Sequence, residues 1–491
     1  MKSSSLQDPL SVLEVFDCME VGPVILEKKR LSMPYVLHYN GRKEATRLIY
    51  SYHEPVFDPS DAASLNLACM IGAQLAINYG LFCRQIIYKG IFDSHDQAFI
   101  REMTDNTSCE IYVKKFLEEH PFITGRAAHL PVVRKDSYTR AEIVFQDTGK
   151  VPAVADFNKW HTHHDRYCVL SSGGKDSLLS YGLMKELSEQ VHPIFINESG
   201  RHWFTALNAF RYLEKSEPHT ARVWCNSDRV FNWMKRRMPF VRKDFDRFRM
   251  DEYPIRLWTV AVFLFGALPL MRKRGLGRLL IGNEFDTTRN LDHNGIRHFD
   301  GLYDQSRYFD EALSRYFTEK NWNIGQFSIL RPLAEIMIQK ILVKRYPLLQ
   351  QQQVSCHAAH HHNGRILPCG NCEKCRRIVG ILIAMDENPR NCGYTDEQIK
   401  NCLASLATTR VNQSGEDAGH LYFLLQQKNL LPQSTDAPPA FEHPDTLSIR
   451  FEATNSPENA IPDDIKGKLV RAWEPYTQGI STRKTVHHLK Y

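Results

Sequence analysis

The chain has 491 residues, 43% of them hydrophobic and 24% charged, which excludes a wholly disordered chain and calls for about two to four folded units. Its 62 basic residues stand against 56 acidic ones, for a net charge of +6, an excess too small at this length to indicate a nucleic-acid partner by charge alone. The polar start Met1-Lys2-Ser3-Ser4-Ser5 leads into no apolar core of signal-peptide length, so a cytoplasmic protein with no membrane partner is expected.

In chain order, the runs Pro23-Val24-Ile25-Leu26 and Tyr35-Val36-Leu37-His38-Tyr39 are β-prone, and Asn40-Gly41 is a hairpin turn signal. From Pro59 to about Phe82 the apolar spacing becomes helical, and a polar helix pair is expected to continue to His120. Residues 1–152 carry no chemical motif and read as an accessory α+β domain. From Tyr167 onward strands alternate with helices. Tyr167-Cys168-Val169-Leu170 precedes a helix from Ser177, Pro193-Ile194-Phe195-Ile196 precedes a helix through Ala206 to Leu213, and further strands are expected at Arg222-Val223-Trp224 and Leu279-Leu280-Ile281. This alternation predicts an α/β domain over 160–385, with a central parallel sheet and helices on both faces.

The apolar run from Leu257 to Met271 is shorter than the roughly 20 residues of a membrane span and is closed by Arg272-Lys273-Arg274, so it reads as a buried helix. Just before it, Lys235, Arg236, Arg237, Arg242, Lys243, Arg247 and Arg249 alternate with Phe231, Trp233, Phe240, Phe245 and Phe248. That pattern fits an amphipathic helix with a solvated face, and it also fits a surface for RNA or a polyphosphate. Residues 386–430 read as a polar helical extension, and 431–491 as a linker followed by a poorly structured tail.

Two motifs carry chemistry. The first is Ser172-Gly173-Gly174-Lys175-Asp176-Ser177, placed between a buried strand and an apolar helix. Its glycines can adopt positive φ and let the backbone approach an anion, while the N–H groups of the helix start point toward it. Ser172, Lys175 and Ser177 add donors and charge, and Asp176 can place a magnesium ion or order the loop. The second motif is Cys369, Cys372 and Cys375 at two-residue gaps, with Cys356 thirteen positions before the first of them. Four thiolates from two short segments satisfy a structural zinc, and four thiolates also suit an iron–sulfur cluster. The nearby His357, His360, His361 and His362 read as a solvated loop that can alternatively replace one thiolate or bind a second metal.

The hexapeptide resembles the signature of the PP-loop family, the N-type ATP pyrophosphatases, whose fold is adenine nucleotide alpha-hydrolase-like. With the distal cysteines, the resemblance narrows to the 7-cyano-7-deazaguanine synthases over about residues 165–385. It rests on the loop, on Arg201-His202, on Tyr253-Pro254-Ile255-Arg256, and on Ser355-Cys356 followed by Pro368-Cys369-Gly370-Asn371-Cys372-Glu373-Lys374-Cys375-Arg376. It implies ATP and Mg2+ as cofactors, with Lys175, Asp176 and Ser177 as catalytic residues. It also implies a small-molecule carboxylate that is adenylated with release of pyrophosphate and then attacked by ammonia or an amine, as a ligase forming a carbon–nitrogen bond.

The same resemblance makes Arg201, His202 and Arg256 candidates for the substrate acid or phosphate, although Arg256 can equally pair with Asp251 or Glu252. Asn283, Glu284 and Asp286 follow an expected strand at the carboxyl end where ligands of open α/β sheets collect, and are further candidates. The family's next segment, Tyr-Pro-Asp-Cys-Arg, has only Gly301-Leu302-Tyr303-Asp304-Gln305-Ser306-Arg307 as its counterpart, so an acid other than or larger than 7-carboxy-7-deazaguanine is expected. A protein or RNA acceptor, a homodimer, an RNA-modifying relative and a non-catalytic nucleotide-binding component of a larger assembly are the alternatives.

Overall fold

The computed structural model describes residues 8–147, 159–198, 200–245, 255–431 and 438–483. The chain is an α/β protein that divides into two compact units, each drawn from several stretches of sequence. The first holds residues 1–162, 223–275 and 290–323, and the second holds 163–222, 276–289 and 324–491.

The chain opens with β1 (Phe16–Val21), β2 (Ile25–Glu27), β3 (Arg30–Tyr39) and β4 (Arg42–Tyr52). Asn40 and Gly41 turn β3 into β4 with φ of 49° and 69°, the left-handed pair that two-residue hairpins require. Next come α1 (Ala62–Ala73), β5 (Cys83–Gly90), α2 (Ser94–Tyr112) and β6 (Glu142–Asp147). From Gln85 onward β5 alternates partly buried and buried positions, a strand where the sequence predicts a polar helix pair.

The chain continues with β7 (His163–Ser171), α3 (Lys175–Lys185), β8 (Val191–Asn197) and α4 (Arg201–Ser216). β9 (Ala221–Cys225), α5 (Ser227–Lys235) and α6 (Val260–Arg274) follow, then β10 (Leu276–Leu280) and the hairpin β11 (Asn290–His293) and β12 (Ile296–Phe299). After α7 (Arg307–Glu319), β13 (Gly325–Phe327) and α8 (Glu335–Arg345) come the hairpin β14 (His360–His362) and β15 (Arg365–Leu367), and the helices α9 (Glu373–Ala384), α10 (Asp396–Leu406) and α11 (Gly415–Gln427). The described chain ends with β16 (Ile449–Glu452), α12 (Asp463–Trp473) and β17 (Ile480–Arg483).

In the second unit β13, β10, β7 and β8 lie side by side in that order, all parallel. Their buried residues form one core with α3, α4, α8 and the C-terminal elements. In the first unit β9, β4, β3, β1, β5 and β6 form a mixed sheet: β9, β4, β3 and β1 pair antiparallel, whereas β5 is parallel to β1 and β6. Here the structure departs from the expected boundaries. β9 was read as part of a continuous 160–385 block, yet its residues Val223, Trp224 and Cys225 pair with Tyr52, Ser51 and Tyr50 of β4. The apolar run is indeed a buried helix, α6, but it belongs to the first unit. Asp304 holds its start, accepting N–H bonds from Thr259, Val260 and Ala261 at 2.8, 2.6 and 3.2 Å, a side-chain cap for otherwise unpaired helical amides. Burial pushes that carboxyl up to about 6 against the pull of these bonds.

The expected poorly structured tail is a second correction. Ile449, Ile461, Leu469 and Trp473 are fully or almost fully buried in the core of the second unit, and Asp464 accepts two 2.8 Å bonds from the guanidinium of Arg278 on β10. The expected linker lies mainly outside the described residues. Among the described residues no helix is long and apolar enough to cross a membrane.

Candidate phosphate site and metal centre

β7 carries the chain out of the core at Ser171, and after three intervening residues α3 begins. Between them Gly173 has φ +74°, and a Cβ there would lie 2.7 Å from the Ala206 Cα of α4, so the loop is pressed against that helix by a residue that must lack a side chain. Gly174 is the N-cap of α3 in extended conformation, and no side chain caps the helix. The amides of the first turn and the positive end of the helix dipole therefore remain available to an anion. Ser177 fixes the turn, donating to the Gly174 carbonyl at 3.2 Å and accepting from the Ser171 hydroxyl at 3.2 Å.

The loop after β10 closes the other side. β7 lies between β10 and β8, and the chain leaves β7 toward β8 on one side while β10 lies on the other, the switch point at which a crevice opens beyond the strand ends. Gly282 is close enough that an added Cβ would meet the Asp176 Cβ at 2.6 Å. This contact brings Asn283, Glu284 and Asp286 to the phosphate loop.

Lys175 is 4% exposed. Its Nζ lies 2.8 Å from Asp176 Oδ1, 3.3 Å from Glu284 Oε2 and 3.2 Å from Glu335 Oε1. Burial alone would lower its pKa, but the three carboxylates hold it well above the usual lysine value. Glu335, the first residue of α8, also accepts from Gln413 Nε2 at 2.6 Å and faces Arg377 Nε at 3.5 Å. Burial pushes its carboxyl up, yet Arg377, Lys175 and Gln413 together bring it down to about 2. Glu284 goes the other way: burial, with the neighbouring charges of Glu335, Asp176 and Asp286, outweighs Lys175 and holds it well above the usual carboxylate value. Asn283 is 1% exposed and has no partner on either side-chain atom, whereas its backbone N–H and carbonyl are both bonded to the Ser328 hydroxyl. A buried carboxamide without partners is costly, and it lies beside the loop.

The other expected residues are placed as follows. His202, on α4, is about half exposed, with Nε2 3.7 Å from Glu198 Oε1. Arg201 starts the same helix, and its side chain lies outside the described residues, as do Tyr253 and Pro254. Arg256 lies in the first unit, buried, paired with Asp228 at 3.1 Å and 4.4 Å from the centre of the Phe231 ring; Asp251 and Glu252, its alternative partners, lie outside the described residues. Glu335, Arg377 and Gln413 were not singled out in the sequence. β13, the strand before α8, has only three residues and leaves no strand signature.

Cys356, Cys369, Cys372 and Cys375 come together with all four sulfurs within 4.8 Å of one another, a set that can hold a metal such as zinc. The closest pairs are 3.5 and 3.9 Å apart, too far for disulfides and near the edge of about 3.8 Å that tetrahedral zinc–sulfur bonds of about 2.3 Å produce. Backbone N–H groups of Ala358 and Cys369 donate to the Cys356 sulfur. His360, His361 and His362 are exposed on β14 and do not belong to the cluster.

In the basic–aromatic segment, Phe231, Phe240 and Phe245 are buried. Lys235 lies over the Phe245 ring and Arg237 over the Trp233 ring, with Arg237 also paired to Glu44. These aromatics are packing residues; Arg247, Phe248 and Arg249 lie outside the described residues. Compared with protein-family models and with curated proteins, the chain matches none.

Proposed function

We propose that this chain is an ATP-dependent adenylating enzyme of the PP-loop type, with an adenine nucleotide alpha-hydrolase-like second unit. The observation that carries the reading is the arrangement at the end of β7: Gly173 pressed on α4, an uncapped α3, and a buried lysine among carboxylates supplied by α3, the loop after β10 and α8. The amides of α3 and Lys175 take the β,γ-pyrophosphate of ATP, and Asp176 would hold a Mg2+ that, when bound, would supply the remaining positive charge.

A carboxylate oxygen of the substrate then bonds to the α-phosphorus while the bond from that phosphorus to the bridging oxygen breaks, and pyrophosphate leaves. Ammonia or an amine adds to the activated carbonyl carbon, loses a proton and expels AMP. The protein's work is alignment of the acid with the α-phosphorus and neutralisation of phosphate charge. Asn283 is placed to give its unpaired carboxamide to the nucleotide or the acid. The cysteine cluster is read as structural zinc, since four sulfurs this close surround one ion and leave no open position.

The test is product analysis of ATP with 7-carboxy-7-deazaguanine and ammonium, beside an Asp176→Ala control. AMP and pyrophosphate that appear only with the acid, and vanish in the control, support the reading. Cleavage to ADP and phosphate refutes it. ATP binding without turnover moves the search to larger acids, including those on a protein or RNA.

A further inference from the structure

The metal cluster and the phosphate loop are joined by a short chain of side chains, all within the second unit. Cys372 is the N-cap of α9 and Cys375 lies in its first turn, so a metal bound there fixes where that helix starts. Arg377 is two residues further along the same helix. It is held by Glu373 at 3.7 Å and by the Asn412 carbonyl at 2.5 Å, and Glu373 in turn accepts the Asn412 N–H at 2.7 Å. Arg377 and Gln413 converge on one oxygen of Glu335, and Lys175 lies 3.2 Å from the other.

We propose that the metal knuckle is a positioning device for the phosphate loop, acting through Arg377 and Glu335 on the Lys175 ammonium. Metal bonds fix α9, α9 fixes Arg377, and Arg377 with Gln413 holds Glu335 where it can receive or release the lysine. The arrangement has a physical logic. To contact a phosphate, Lys175 must give up part of its carboxylate shell, and a buried carboxylate left unpaired would oppose that move. Glu335 keeps Arg377 and Gln413 when Lys175 turns away, so its own charge is not orphaned by the exchange. Glu335 and Arg377 are therefore positioning residues. That Lys175 contacts nucleotide rests on the proposed function, whereas the link from metal to Lys175 does not.

The experiment uses the full chain loaded with zinc and follows acylation of Lys175 by an amine-reactive ester, site by site by mass spectrometry, with exposed Lys28 as internal reference. Melting curves confirm that each preparation remains folded. Removing zinc with a chelator is expected to raise the Lys175 rate relative to Lys28 by about tenfold, in the range of couplings carried by such networks. Glu335→Gln and Arg377→Gln are expected to start at the raised rate and to respond little to chelation, while Arg377→Lys restores part of the response.

An unchanged Lys175 rate after verified metal loss overturns the proposal. So does a chelation effect as large in Glu335→Gln as in wild type, or a failure of the four cysteines to take zinc. ATP affinity is measured on the same samples. If the wild type binds no ATP but the metal-dependent labelling holds, the nucleotide reading fails and the positioning link stands; if ATP binds but labelling ignores the metal, the reverse is true.

Discussion

Glu284 and Glu335 share one lysine yet are held in opposite ways, and this makes their substitutions diagnostic. Glu335 is buried, ionised and paired to two cations, so Glu335→Gln removes an anion that balances buried Lys175 and part-buried Arg377 and is expected to cost about 3 kcal/mol. Glu284 pairs with Lys175 at 3.3 Å, and that lysine keeps Asp176 and Glu335 when Glu284 is neutralised. Glu284→Gln should therefore change stability by less than about 1 kcal/mol, and denaturant unfolding of both variants measures the contrast. The pH dependence follows in sign. Glu335 is brought from 4.5 to about 2, so its stabilisation is full above the unfolded value and is lost as pH falls from 4.5 toward 2. Melting temperature should drop through that window in wild type and less steeply in Glu335→Gln; parallel slopes would count against the assignment.

At the level of elements, the proposed function separates a loop residue needed for folding from one needed for binding. Gly173 has positive φ and no room beside the Ala206 backbone, so Gly173→Val combines backbone strain with a clash and is expected to cost at least about 2 kcal/mol. Gly174 has φ −83°, and the nearest atom to an added Cβ is the Ser172 hydroxyl at 3.6 Å. Gly174→Ala should thus unfold within about 1 kcal/mol of wild type while its methyl group occupies the approach to the helix amides and abolishes ATP binding. The loop and the cysteine cluster were legible in the sequence because each is a short contiguous pattern whose chemistry depends on spacing. Glu335 and Arg377 were not legible: they meet through tertiary packing, and a lone Glu and a lone Arg on separate helices carry no spacing signal.

Across the whole molecule, the sequence showed the α/β alternation and the Asn40-Gly41 hairpin but not how the strands are shared. Val223, Trp224 and Cys225 read locally as one more strand of an alternating block, and only the register with Tyr50, Ser51 and Tyr52 assigns them to the mixed sheet of the first unit. Long-range pairing of this kind leaves no local trace. The last residues misled for a related reason: their apolar pieces are short, and Ile449, Leu469 and Trp473 acquire a core only from the rest of the second unit. Trp473→Ala is accordingly expected to destabilise that unit by about 3–5 kcal/mol, read as an earlier unfolding transition.

The most direct test of the central claim is calorimetric titration of ATP into the wild-type protein, followed by displacement with inorganic pyrophosphate. The account predicts that ATP binds, that pyrophosphate competes for the same site, and that Gly174→Ala loses both while remaining folded. A wild-type protein that binds neither ligand, or a Gly174→Ala protein that binds both as well as wild type, would contradict it.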